Sequence, residues 1–230
     1  MCGIVGYVGA WNAAPVLLSG LSRLEYRGYD SAGIAVSDLR DGENRIEILK
    51  AKGRLQALKE MTDNGKAVSG TCGIGHTRWA THGEPSVANA HPHCSKDKRI
   101  VVVHNGIIEN YKELKEYLQK KGFVFLSETD TEVVAHLLDY YYKGNPLEAI
   151  ARALGRIRGS YALGILFKDQ PGKIYAVRKD SPLIIGRSEN GNFIASDVPA
   201  ILKYTKNVCY ISDMEIAELT KDTITFYDVD

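Results

Sequence analysis

Beyond Gly159 the hydrophobic pattern is that of short strands and almost nothing else, and this constrains the fold more than any other feature of the 230-residue chain. Segments 161–167, 174–177, 183–185, 193–195, 208–211, 216–219 and 223–227 are divided by turn signals such as Gln170-Pro171-Gly172 and Glu189-Asn190-Gly191. Connections this short join antiparallel neighbours, because a parallel crossover needs about a dozen residues or more. The long helices are grouped in the middle of the chain instead. Asn110 with Glu113, and Thr129 with Glu132, form capping-box patterns ahead of helices predicted over 111–121 and up to Tyr142, and Asn145, Pro146 and Glu148 open a third. Strands and helices segregated in this way imply the α+β class, with stacked sheets covered by helices. The chain shows no internal repeat and reads as one domain over 1–230.

The N-terminal part adds strands over 3–8, 34–36, 46–49 and 72–76, with a hairpin turn at Asp41-Gly42. Val16, Leu17, Leu21 and Leu24 recur at helical spacing from Pro15 to a basic last turn at Arg27-Gly28, and 55–61 is a short helix. Two stretches carry more polar chemistry than a connector needs. One is the elbow Arg27-Gly28-Tyr29-Asp30-Ser31-Ala32-Gly33. The other is the aperiodic stretch 77–98, which holds Arg78, Trp79, Thr81 and His82; a loop longer than about 12–15 residues in a compact domain is usually functional or disordered. The apolar strand 100–103 runs into His104-Asn105-Gly106 and is expected to present backbone amides at its tip.

Composition removes several function classes. Hydrophobic residues at 44%, charged residues at 25% and a net charge of +1 offer no electrostatic case for nucleic acid or a membrane surface. No apolar run approaches the ~18 residues of a spanning helix, and no leader pattern opens the chain, so a cytoplasmic protein is expected. Cys2, Cys72, Cys94 and Cys209 form no C-x-x-C pair, which suits a reducing compartment. His91-Pro92-His93-Cys94 is too compact in an extended loop for a tetrahedral metal site, and no nucleotide-binding glycine motif is present, so neither metal nor cofactor is expected.

Cys2 is the centre of the chemistry. Removal of Met1 would leave it with a thiol and a free α-amine on one residue, and the amine, with a reference pKa of about 7.7–8.0 against about 8.5 for the thiol, is a competent base. The plainer alternative is a small apolar residue starting a buried strand. Acyl transfer from an amide also needs donors where an oxyanion develops, which the Asn105 side chain and the Gly106 N–H could supply. An amino-acid substrate offers a carboxylate for Arg78 and an ammonium for Asp130. Each of these residues alone also has a structural explanation: a surface ion pair, a helix start, a turn. A cysteine hydrolase using His76 or His82 as its base is the nearest mechanistic rival.

Taken together, Cys2-Gly3-Ile4-Val5-Gly6, the segment from Leu24 to Gly33, His76-Thr77-Arg78-Trp79-Ala80-Thr81-His82-Gly83, His104-Asn105-Gly106 and Ser127-Glu128-Thr129-Asp130-Thr131-Glu132 resemble the glutaminase domain of the isomerising glutamine–fructose-6-phosphate aminotransferases, one of the class II glutamine amidotransferases. The resemblance spans the whole chain. It implies an N-terminal nucleophile hydrolase fold, four layers in αββα order with two stacked, mainly antiparallel sheets, that hydrolyses L-glutamine to glutamate and ammonia. By the same likeness Cys2 is the nucleophile with Arg27 beside it, Asn105 and Gly106 form the oxyanion hole, and Arg78, Thr81, His82 and Asp130 hold the substrate, with Trp79 as a gate. The implied partner is a sugar-isomerase domain, which such enzymes carry next and which is expected to be absent from this chain. A non-catalytic amino-acid-binding module on the same fold is the alternative.

Overall fold

The computed structural model describes residues 2–230 apart from Gly28 and the side chain of Arg27. Met1, Gly28 and the Arg27 side chain, expected beside the nucleophile, therefore lie outside the described residues. Seven strands form the first sheet, in the order β11 (Val208–Tyr210), β9 (Ile184–Ser188), β10 (Gly191–Ala195), β1 (Gly3–Gly9), β4 (Cys72–Arg78), β2 (Ser31–Arg40) and β3 (Glu43–Lys52). Six form the second: β13 (Ile224–Asp228), β12 (Glu215–Leu219), β8 (Ile174–Lys179), β7 (Gly159–Phe167), β6 (Ile100–Ile108) and β5 (His93–Cys94). Neighbouring strands pair antiparallel throughout both sheets, as the short connections require.

Period-two alternation sorts the side chains into layers. In β1, Val5 and Tyr7 face Leu17 and Leu21 of α1 (Ala13–Ser22) and Leu55 and Leu58 of α2 (Leu55–Met61). Ile4 and Val8 face the other way, into a core shared with Val101 and Val103 of β6. The remaining β6 residues Ile100 and Val102 pack under α3 (Tyr111–Lys120), α4 (Thr131–Tyr141) and α5 (Pro146–Leu154). Three apolar cores between four layers give αββα order. Among the described residues no helix is long and apolar enough to cross a membrane.

Several expectations need correction. Helix α1 ends at Ser22, short of Arg27; the chain tightens through Leu24 N donating to Leu21 O into a 3-10 turn over Glu25–Arg27, which keeps Leu24 in the core while reversing direction. The hairpin strands are ten residues each and meet at Asp41 and Gly42, both with positive φ, so β2 begins at Ser31, inside the stretch expected to be an elbow. The long loop is shorter than expected, because Thr77 and Arg78 belong to β4, and His93 and Cys94 form the edge strand β5. Asn105 and Gly106 lie within β6, not at its tip, since the ladder to β7 continues to Ile108 opposite Gly159. Asn145 caps its helix through Glu148 N, but neither expected capping box forms. Asn110 instead bonds Arg156 O and Arg158 N, and Thr129 bonds His93.

Candidate active site

Strand register brings the candidate residues together. Gly3 pairs with Thr77 and Ser31 with Arg78, so the start of β1, the end of β4 and the start of β2 share one end of the first sheet. Asn105 reaches this end from the second sheet: its Nδ2 donates to the Cys2 carbonyl at 3.2 Å. The sheets are joined at the backbone of Cys2. Asp130, which precedes α4, accepts from Ile108 N at 2.8 Å, so the β6 strand and the helix start hold each other. A cavity of about 500 Å³ opens there, and Cys2, Arg78, Trp79, Thr81, His82, Asn105, Gly106 and Asp130 all line it. That volume is within the roughly 300–1,000 Å³ of small-molecule sites.

Cys2 is half-buried, and its Sγ accepts from Trp79 N at 3.2 Å. Burial pushes the thiol pKa up, and the Trp79 N–H works against this by favouring the thiolate. A thiol in this setting needs a base. The neighbouring Ala80 N donates to Asp30 Oδ2 at 2.6 Å, and Asp30 N donates to Arg78 O at 2.7 Å, which ties the elbow to the loop beside Cys2. Arg78 is 3% exposed. Its Nη2 donates to the carbonyls of His82 and, at 3.1 Å, of Gly83, and Nη1 reaches Glu84 O at 3.4 Å, so the guanidinium wraps the 79–84 loop around itself. Trp79 is 54% exposed at the rim, and the His82 ring leans on Tyr111.

Gly106 has φ +115°, and a Cβ there would lie 2.2 Å from Ser160 O. Only glycine fits this position, and its backbone is open to the cavity next to the Asn105 amide.

His76 is buried with Nε2 at 3.0 Å from both His104 O and Asn105 Oδ1, and burial lowers its pKa to about 3. Among the described residues Cys2 Sγ bonds only to Trp79, so neither His76 nor His82 is seated on the sulfur as a base. Cys72 is buried in the core between the sheets, and that burial pushes its thiol up to about 12, as suits a packing residue. Among the described residues no group of three His, Cys, Asp or Glu is arranged to hold a metal.

Sequence reasoning missed part of the wall: Ser160, Ser181 and Pro182, together with Thr129 and Thr131 on either side of Asp130. The two threonines stand inside a motif already singled out and were detectable there. Ser181 and Pro182 lie in a turn after β8 with no local signal.

A family model described as a glutamine amidotransferase domain matches residues 76–203, more than half of the chain. The chain belongs to the glutamine amidotransferase family. Among relatives of this glutamine amidotransferase domain, the glutamine–fructose-6-phosphate aminotransferase (isomerizing) of Caldanaerobacter subterraneus subsp. tengcongensis is 60% identical over 229 residues, covering 100% of this chain and 37% of the relative. The enzyme of the same name from Aquifex aeolicus is 50% identical, covering 99% and 38%. The chain therefore spans little more than a third of the length of these curated relatives. Among solved structures, the glutamine phosphoribosylpyrophosphate amidotransferase of B. subtilis, complexed with ADP and GMP, superposes with a TM-score of 0.84 at 26% identity, covering all of this chain and 49% of that one. The fold is the α+β fold of the N-terminal nucleophile amidotransferases.

Proposed function

We propose that this domain hydrolyses the side-chain amide of L-glutamine, with Cys2 as nucleophile. The supporting observation is the convergence of Cys2, Asn105, Gly106, Arg78 and Asp130 on one cavity. Once Met1 is removed, the α-amine of Cys2 takes the thiol proton through a water, and Sγ attacks the amide carbon. The oxyanion that forms is met by Asn105 Nδ2 and Gly106 N. Collapse breaks the C–N bond, the amine returns its proton to the leaving nitrogen, and ammonia departs, leaving a thioester. Water then gives a proton to the amine and attacks the thioester carbonyl, the C–S bond breaks, the sulfur regains that proton as the thiol, and glutamate leaves. Arg78 and Asp130 receive the substrate carboxylate and ammonium, Thr81 and His82 complete that end, and Trp79 gates the rim, with Arg27 assigned to the catalytic set by the family resemblance. In the longer protein this is the ammonia-supplying half of glucosamine 6-phosphate formation from fructose 6-phosphate, with a sugar-isomerase domain as partner and a cytoplasmic location.

Matched preparations with and without Met1, each checked by mass, test the base. General-base assistance is typically worth ~10²–10⁴-fold, so the form retaining Met1 should release glutamate slower by at least that factor while remaining folded. Equal rates would overturn the amine as base. A glutamine-mimicking electrophile should add once, on Cys2; a protein that binds glutamine without turning it over, and forms no adduct, would instead be a binding module.

A further inference from the structure

A primary amide has a donor face and an acceptor face of nearly the same shape, so nothing in Asn105 itself decides which one looks toward Cys2. The surroundings decide it. His76 Nε2 lies 3.0 Å from the carbonyl oxygen of His104, which can only accept, so Nε2 carries the ring hydrogen. The same N–H points at Asn105 Oδ1, also 3.0 Å away. At the far end of the amide, Nδ2 donates to the Cys2 carbonyl, which again can only accept. Turning the amide over would set N–H against N–H at His76 and oxygen against oxygen at Cys2.

We infer that His76 is a positioning residue for the glutaminase reaction: its Nε2–H fixes the Asn105 amide with its donor face toward the reacting carbonyl. The inference rests on the proposed role of Asn105 as oxyanion donor. The amide nitrogen has two hydrogens, one engaged by Cys2 O and the other left for the substrate oxygen.

The ring is held for this task at Nε2 and across one face. It stacks on His91 with centroids 3.9 Å apart and planes 10° from parallel. His91 is backed by Gly33, where a Cβ would stand 2.0 Å from the His91 carbonyl oxygen, and its Nε2 lies 3.4 Å from Thr131 Oγ1. Thr131 Oγ1 also meets His104 Nδ1 at 2.9 Å, which steadies the residue whose carbonyl sets the His76 tautomer. Among the described residues the Nδ1 atom of His76 is buried with no partner, the arrangement of a ring whose hydrogen is committed to Nε2. Burial also keeps the imidazole neutral across the working pH range, so it does not contribute a switchable charge. A buried donor without a charge role, aimed at a reorientable amide in the cavity wall, is explained by alignment.

The test uses the Met1-processed chain and glutamate release. Losing one oxyanion donor costs ~10²–10³-fold in kcat, so Asn105→Ala should fall by that amount. His76→Leu, which frees the amide to rotate, should lose at least about 10-fold in kcat with KM little changed. His76→Gln places an N–H near the Nε2 position and should recover most of that loss. In the Asn105→Ala background His76→Leu should cost less than about 2-fold further, because the two residues act as one unit. A folded His76→Leu with wild-type kcat, while Asn105→Ala is impaired, overturns the inference and leaves the oxyanion assignment standing. A loss confined to KM, or one of equal size in the Asn105→Ala background, also overturns it, since a general packing defect behaves in that way. Wild-type kcat in Asn105→Ala removes the oxyanion assignment, and the inference with it. If His76→Leu does not fold, His76→Asn takes its place, with an amide at the Nδ1 position too short to reach Asn105.

Discussion

On Arg78 a single guanidinium serves two purposes. It satisfies the carbonyls of His82, Gly83 and Glu84, and it carries a buried positive charge on the wall of the cavity that Asp130 also lines. Asp130 is similarly divided, with Oδ2 accepting from Ile108 N while the carboxylate faces the cavity. Truncating one partner of a desolvated charge pair costs about 2–5 kcal/mol. In a Cys2→Ala background, Arg78→Ala and Asp130→Ala should each lose that much glutamine affinity by isothermal titration. Asp130→Asn is the sharper variant. It keeps an oxygen for Ile108 N, so its melting temperature should stay near wild type while its affinity falls. Unchanged affinity in both Arg78→Ala and Asp130→Asn would show that the substrate's charges are bound elsewhere. The residue types here were legible in the sequence, because an Arg fork and a carboxylate are what a zwitterion requires. That Arg78 also organises its own loop was not, since this depends on the carbonyls of 82–84 curling back onto it.

Helix α4 depends on a carboxylate that the sequence assigned to the wrong partner. Glu132, in place of closing a box with Thr129, accepts from Leu126 N at 2.8 Å, Ser127 N at 2.7 Å, Ser127 Oγ at 2.6 Å and His136 Nε2 at 2.9 Å. It thereby pins the connector between α3 and α4, and with it Asp130. Burial acts to raise its pKa, but the bonds from His136, Ser127 and Leu126 prevail and hold it at about 2, below the ordinary value of 4.5. A carboxylate depressed on folding contributes stability that is fully present above its unfolded pKa and is lost as pH falls through the folded one. The window is therefore pH 4.5 down to about 2. Glu132→Gln should be less stable than wild type at pH 7, and the gap between their urea midpoints should narrow as pH falls through that window. A gap that is constant from pH 7 to pH 3 would mean that the charge of Glu132 contributes nothing.

At the scale of the whole molecule, the core between the two sheets is filled so closely that β1 has no room for a side chain at Gly6, opposite Ile194 on the neighbouring strand β10. A Cβ on Gly6 would lie 2.5 Å from Ile194 Cγ1 and 3.5 Å from Ile174 Cδ1, the latter from the facing sheet. Overpacking a filled core costs about 1–3 kcal/mol. Gly6→Ala should lower the urea midpoint by a corresponding amount with an unchanged slope, and Ile194→Val, which removes a methyl group beside it, should cost less in the Gly6→Ala background than alone. Additive losses would place the strain elsewhere. Because β1 also delivers Cys2, the same variant reports whether packing along β1 and the site are coupled.

Local chemistry was enough to specify much of this protein. The α+β class followed from short connections between strands and from helices grouped in one stretch, both properties of neighbouring residues. Cys2, Arg78, Asn105, Gly106 and Asp130 were legible as candidates only as a set, because together their residue types suit acyl transfer from an amino-acid amide while each alone has a structural explanation. Tertiary structure alone decided what is set by register and burial. Pairing Gly3 with Thr77 brings Cys2 beside Arg78, and a bond from the second sheet to the Cys2 carbonyl places Asn105 there too. The chain returns Ser181 and Pro182 to the same cavity after some 180 residues of sequence, without any local signal. The same holds for His76, whose role depends on which of two ring nitrogens carries a hydrogen. That is determined by a carbonyl 28 residues further along the chain and by the exclusion of water around both.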